Sequence, residues 1–282
     1  MLLALGAHRH DMAHRALIMG ILDPTSDSLV DPDRLFDLDA CCRRAEQLVA
    51  DGADVVDVGG VRVGPGPRVS EDEELERVVP TIEALHARFD VALSCATRRA
   101  SVARAAYSAG ASVGNDISGF SDPGYLPAAA AAGASVVATH VRIAPRIPDP
   151  RSRHDDVLGE VAAALADLAA RAEAAGIPRE RVLVDAGLDL GTSPEQSLVL
   201  LRGSSTLALL GYPLVLSANE PLLGALLDLH GGDLASATTA AHALGVIGGC
   251  RVLRAHDARA ARRVSDVLAA IVAAVPPAHR GG

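Results

Sequence analysis

Val182-Leu-Val-Asp-Ala-Gly-Leu-Asp-Leu-Gly191 decides how the rest of the chain is read. It begins as an apolar, β-branched run, too short for a helix and suited to a buried strand. It ends in glycines, with an acid, Asp185, where strand gives way to loop. In a barrel of parallel strands that point is where ligands and chemistry gather. The same unit recurs outward in both directions. Strand-like runs Ala16–Leu22, Asp54–Gly60, Val91–Ala96, Ser112–Ser118 and Ser135–His140 precede it, and Pro213–Ser217 and Arg251–Asp257 follow. Between them lie stretches of helical spacing, such as Leu35, Leu38, Cys42, Ala45 and Leu48, closed by Gly52. Ser70-Glu-Asp-Glu73 and Ser193-Pro-Glu195 are helix starts, each with a cap and an acidic first turn. Eight strand–helix units in order, with no leftover segment, predict an α/β fold, a single (β/α)₈ TIM barrel. A doubly wound sheet would not need eight regular units, and no glycine loop supplies G-x-G-x-x-G at a strand–helix junction. Residues 1–275 read as one barrel domain and 276–282 as a disordered tail.

The chain's 282 residues are a normal length for such a barrel. Apolar residues make up 49% and aromatics only 2%, so Ala, Val and Leu must build the core, as suits helices packed on parallel strands. Scarce aromatics and a net charge of -9 argue against a nucleic-acid partner. All basic residues are Arg, which excludes Schiff-base chemistry and lysine-borne phosphate contacts. Cys41, Cys42, Cys95 and Cys250 match no zinc spacing and read as reduced thiols of a cytoplasmic protein. Met1–Ala13 lacks the residue order of a signal peptide, and no apolar stretch reaches membrane-spanning length.

The strand ends are rich in acids and amides. They offer Asp23 and Asp27; Asp57 with Gly59 and Gly60; Ser94 and Thr97; Asn115 and Asp116; His140 and Arg142; Asp185 and Asp189; Asn219 and Glu220; and Arg254, His256 and Asp257. No nucleophile–base pair is evident, and spacing supplies no base for Cys95. Asp23, Asp57 and Asp185 suit a hard-oxygen Mg²⁺ site; alternatively, Asp57 caps backbone amides in its turn. His140 is either a ligand contact or a hydrogen-bonded structural residue. Arg254 and His256 alternate on one strand and so face one side, which suits either an anion such as a phosphate or ion pairs with barrel acids. Asn115 and Asp185 suit a heterocycle with an amidine edge, because a carboxylate accepts two parallel N–H bonds and an amide gives one donor and one acceptor.

Met19-Gly-Ile-Leu-Asp-Pro-Thr-Ser-Asp-Ser28, Gly52-Ala-Asp-Val-Val-Asp-Val-Gly-Gly60, Asn115-Asp-Ile-Ser-Gly119, Val184-Asp-Ala-Gly187 and Arg254-Ala-His-Asp257 occur in an order and spacing that resembles dihydropteroate synthase along nearly the whole chain. The resemblance implies a barrel that joins a dihydropterin-methyl diphosphate to p-aminobenzoate and releases diphosphate, with Mg²⁺ as a possible cofactor and a homodimer as the assembly. It implies that Asn115 and Asp185 bind the pterin and that Arg254 and His256 serve the diphosphate, with Arg254 also covering the pterin face. Asp57 is counted among the substrate-binding residues, and Asp23 stands where the family has a metal-binding Asn. The departures are specific. A pterin-binding Asp reads Ala96, a Thr and an Arg of the glycine loop read Val63 and Gly64, and a pterin-contacting Lys reads Glu220. They imply weak or altered activity, with a catalytically inactive paralogue that binds a pterin-like ligand or a partner protein as the alternative.

Overall fold

The computed structural model describes residues 2–274 apart from 14, 25–36, 62–67, 142–154, 189, 218–222 and 225–226. The tail expected over 276–282 therefore lies outside the described residues, as do Asp27, Val63, Gly64, Arg142, Asp189, Asn219 and Glu220. The chain opens with an antiparallel hairpin, β1 (Leu2–Leu5) paired with β2 (His8–Asp11). The expectation of no leftover segment missed it. Four-residue strands are too short to show a period, and the Gly6 turn at φ +60° is the only strong local signal.

Eight parallel strands then close into a barrel: β3 (Leu17–Leu22), β4 (Val55–Gly59), β5 (Ala92–Ala96), β6 (Val113–Asp116), β7 (Ser135–Thr139), β8 (Val182–Asp185), β9 (Leu214–Ser217) and β10 (Cys250–Ala255). They neighbour one another in chain order, and β10 pairs with β3. Each falls on its expected run. Around them lie α1 (Leu38–Ala50), α2 (Glu71–His86), α3 (Ala100–Ala109), α4 (Tyr125–Ala131), α5 (Val157–Ala174), α6 (Pro194–Arg202), α7 (Ser204–Ala208), α8 (Gly231–Ile247) and α9 (Ala258–Ala273). The Ser70 and Ser193 starts are both full capping boxes, closed by Glu73 and Gln196.

Two-residue alternation sorts each strand. Outward residues such as Val56, Leu93, Val136, Val184 and Leu253 join the core under the helices. Inward residues Leu17, Met19, Val55, Ala92, Val113, Val137, Leu183, Val215 and Val252 fill the lower barrel. Leu3 and Leu5 of the hairpin, with Met12, complete that same cluster, so the hairpin seals the barrel's N-terminal mouth. The Ser135 hydroxyl donates to the Ala4 carbonyl and the Arg181 guanidinium to the Gly6 carbonyl, pinning the plug in place. Two residues further along the strands, the inward positions turn polar: Asp57, Ser94, Asn115, Asp185, Ser217 and Arg254. Barrel geometry thus builds an apolar floor and sets a polar layer on it at the C-terminal mouth.

Leu3→Ala is expected to lower the unfolding free energy by about 2–5 kcal/mol in urea titrations, the range for truncating a buried Leu. A loss well under 1 kcal/mol would mean that the hairpin is not part of the cooperative barrel.

Candidate functional site

Asp57 is the hub of the polar layer. It has no exposed area. Its Oδ1 accepts from Ser94 Oγ at 2.6 Å, and its Oδ2 accepts from both Asn115 Nδ2 at 2.9 Å and Arg254 Nε at 2.7 Å. Register explains the meeting: Asp57 pairs with Ser94 on β5, and Ala96 on β5 pairs with Asn115. The reading of Asp57 as a cap for its own turn is therefore corrected, since its described hydrogen bonds all come from side chains on other strands. Asp57, expected among the substrate-binding residues, lies buried against Ser94, Asn115 and Arg254.

Arg254 is 17% exposed at the side chain and also reaches Ser217 Oγ at 3.5 Å. Burial opposes its charge. Asp57, by charge and hydrogen bond, and then Asp23 and Asp185 by charge, more than offset this and hold the guanidinium protonated. Of the two alternatives for this residue, the ion pair with a barrel acid is present, while its Nη side remains at the mouth. The strand ends at Ala255, so His256 lies just past it and is exposed; its carbonyl accepts from Arg44 Nη2 at 2.6 Å.

Asp185 is 6% exposed. Its Oδ1 accepts from Gly187 N at 2.8 Å. That turn requires glycine: Gly187 has φ +66°, and a Cβ there would meet the His140 carbonyl oxygen. Burial pushes the Asp185 carboxyl up to about 6, against the pull of the Gly187 N–H and Arg254. His140 is buried beside it, its N–H donating to the Asp185 carbonyl at 2.9 Å.

A second buried network went unread in the sequence. Glu74, 1% exposed, accepts from the Thr97 hydroxyl and from Arg99 Nη1. Arg99 Nη2 holds the Val69 carbonyl at 2.9 Å, and Arg77 Nη1 holds that of Gly60 at 3.1 Å. Both ends of the glycine loop are thereby fixed to helix α2. The sequence signal was an acid in a first turn, which ordinarily faces solvent.

Asp23, Asp57 and Asp185 do not form a cation cage. Among the described residues, no three His, Cys, Asp or Glu side chains are grouped to hold a metal. Asp57 is enclosed by its donors, and Asp185 is buried, leaving Asp23 as the exposed acid of the three. Cys95 faces outward under the helices, fully buried, and burial beside Glu74 and Asp57 pushes its thiol well above the usual range. It is no nucleophile.

The pterin binding enzyme family model matches residues 19–256. The protein named inactive dihydropteroate synthase 2 from Mycobacterium tuberculosis is 41% identical over 275 residues, covering 93% of this chain and 85% of that protein. The crystal structure of the Yersinia pestis dihydropteroate synthase with a sulfonamide drug superposes at a TM-score of 0.89 with 32% identity, covering 96% of this chain and 99% of that one. The Xanthomonas albilineans dihydropteroate synthase in complex with 7,8-dihydropteroate gives 0.86 with 32% identity, covering 98% and 100%.

Asp185 supplies a pH prediction. Its folded pKa of about 6 lies above the ordinary value near 4, so the folded chain holds the extra proton between those values. The contribution of this carboxyl to stability is therefore fully present below about pH 4 and is lost as pH rises through about 6. The ionised form costs about 3 kcal/mol by that linkage. Asp185→Asn should gain stability relative to the native chain as pH rises from 4 to 7, read from urea midpoints. A constant difference across that range would contradict the shift.

Proposed function

The chain belongs to the pterin-binding enzyme family, as a divergent paralogue of dihydropteroate synthase, and from that premise we propose that it binds a dihydropterin and that its transfer of the pterin to p-aminobenzoate is weak or altered. The observation that carries the proposal is the pairing of Asn115, oriented by Asp57, with Asp185 at one barrel mouth. An amidine-like edge offers parallel N–H donors, and Asp185 gains from them: they stabilise the charge that burial penalises. In the full reaction the arylamine lone pair forms a C–N bond at the pterin methylene carbon, the C–O bond to diphosphate breaks, and the amine proton passes to solvent. Arg254 and His256 are the residues assigned to the departing anion.

Two features favour weak activity. The sequence has Ala96, Val63, Gly64 and Glu220 where the resemblance implies an acid, a Thr, an Arg and a Lys. Each lost charge-assisted bond is worth about 1.5–3 kcal/mol, and each 1.4 kcal/mol is about tenfold in rate. Arg254 is also already paired with Asp57, so an anion must share it. That pairing supports the second reading, a catalytically inactive paralogue whose site serves binding. Mg²⁺ fits poorly, since Asp23 is a single donor. A cation would have to arrive with the diphosphate, and no step here rests on one.

For assembly we propose a homodimer. Leu244 and Ile247 of α8 and Val267, Ile271 and Val272 of the neighbouring α9 are large apolar side chains left exposed, at 46–72%. Such a patch suits a second copy of the chain. The four free thiols are buried, which fits the reducing cytoplasm, and among the described residues no helix is long and apolar enough to cross a membrane.

Purified protein given dihydropterin-methyl diphosphate, p-aminobenzoate and Mg²⁺ should release diphosphate at least about a thousandfold slower than an active relative. Pterin should still bind, and Asp185→Ala should abolish that binding. Turnover matching an active relative would overturn the weak reading, and absence of pterin binding would overturn both. In sedimentation velocity the native chain should run as a dimer and the Ile247→Arg, Ile271→Arg variant as a monomer; a monomeric native chain at micromolar concentration would sink the assembly proposal.

A further inference from the structure

A cleft of about 530 Å³ opens on the flank of the barrel, away from its C-terminal mouth. It lies between the end of α1 with the turn into β4, Ala50 to Asp54, and the N-terminal half of α9. Asp54 directly precedes β4, so it stands at the opposite end of that strand from Gly59. The charges lining the cleft are unevenly matched. Arg262, 8% exposed, donates to the Gly52 and Ala16 carbonyls and pairs with Asp54, which also accepts from Ile18 N at 2.8 Å. Asp266 is held by Arg15 Nη2 at 2.6 Å, and Asp51 accepts from Gln47 Nε2 at 3.0 Å. Two cations remain. Arg259 and Arg263 line the same cleft and are exposed, and among the described residues neither has a hydrogen-bond or ion-pair partner.

Their placement is unfavourable for the folded chain alone. They stand four residues apart on α9, where side chains are neighbours and like charges repel. Arg259 also lies in the first turn, where the helix dipole opposes a cation and no acid stands. An anion bridging the two guanidiniums removes both penalties. We propose that the cleft binds a compact phosphorylated small molecule, with its phosphate or diphosphate group held between Arg259 and Arg263. Such a group offers enough oxygens to accept from two guanidinium forks, which a single carboxylate does not. The volume is that of a small-ligand pocket. An extended polyanion is disfavoured, because Asp51, Asp54 and Asp266 share the lining and the chain as a whole carries a net charge of -9. Val267, Ile271 and Val272, proposed for the dimer, lie further along α9 and outside the lining. The site is independent of the pterin reading, since no residue of the barrel mouth lines it.

The test is a calorimetric titration of the full chain with inorganic diphosphate, in the absence of pterin and metal. Binding should saturate, and the double variant Arg259→Gln, Arg263→Gln should weaken it by roughly tenfold to a hundredfold, the loss of charge-assisted bonds. Urea titrations supply a second readout. Without diphosphate the double variant should be at least as stable as the native chain, because the two arginines have no partner to lose. Diphosphate should then raise the native midpoint more than the variant's, and chloride at the same ionic strength should not reproduce that difference. Equal affinity in the two chains would place the anion elsewhere and overturn the proposal. So would a native chain that binds no diphosphate, or a midpoint difference that chloride reproduces. A double variant clearly less stable than the native chain without diphosphate would give the arginines a structural role and count against the site.

Discussion

Arg254 places a full positive charge in the wall of a closed barrel, and Asp57 answers it with a carboxylate that has no contact with solvent. Breaking such a buried pair by removing one partner costs about 3–5 kcal/mol, because the other charge is left stranded. The pair also does more than neutralise. Asp57 Oδ2 is shared between Arg254 Nε and Asn115 Nδ2, so one atom sets the direction of both a guanidinium and an amide. Ser94 holds the other oxygen and stops the carboxylate from rotating. Side chains on β6 and β10 are therefore oriented by a buried residue on β4.

The layering that makes this possible follows from strand periodicity. Val55 to Asp57, Val113 to Asn115, Leu183 to Asp185 and Val252 to Arg254 are the same move on four strands: one inward apolar residue, then one inward polar residue. Below the switch the barrel is packed like any core, and above it the inward side chains are polar. Gly187 and Gly59 mark where backbone or side chain from elsewhere needs the space that a Cβ would fill.

Much of this was legible in the chain itself. Eight apolar runs with glycine loops and capped helices fixed the barrel, since local signals and global fold agree in each unit. Asn115, Asp185 and Arg254 stood out as polar residues at strand ends. What stayed hidden depended on distance in sequence. The Asp57–Arg254 contact spans 197 residues, so Asp57 looked as much like a turn cap as a charge partner. Glu74 looked like an ordinary acidic first turn until Thr97 and Arg99 were seen around it. The hairpin was too short to show a pattern, and its role exists only once the barrel gives Leu3 and Leu5 something to seal.

The arrangement of charge bears on chemistry as well as on binding. One arginine faces three acids, Asp57, Asp23 and Asp185. At neutral pH burial raises Asp185 only to about 6, so it is mostly ionised and the set as a whole is negative. A heterocycle edge rich in N–H groups is favoured in that field. A diphosphate is not, because it must compete with Asp57 for Arg254 and approach the other two carboxylates. Ring recognition and leaving-group stabilisation are thus separable demands on the same barrel mouth. The residues proposed for the first, Asn115 and Asp185, are held by buried hydrogen bonds, while positions that the resemblance assigns to the second carry Val63 and Gly64. A site can lose transition-state stabilisation in this way and keep ground-state affinity, since only interactions stronger in the transition state accelerate the reaction.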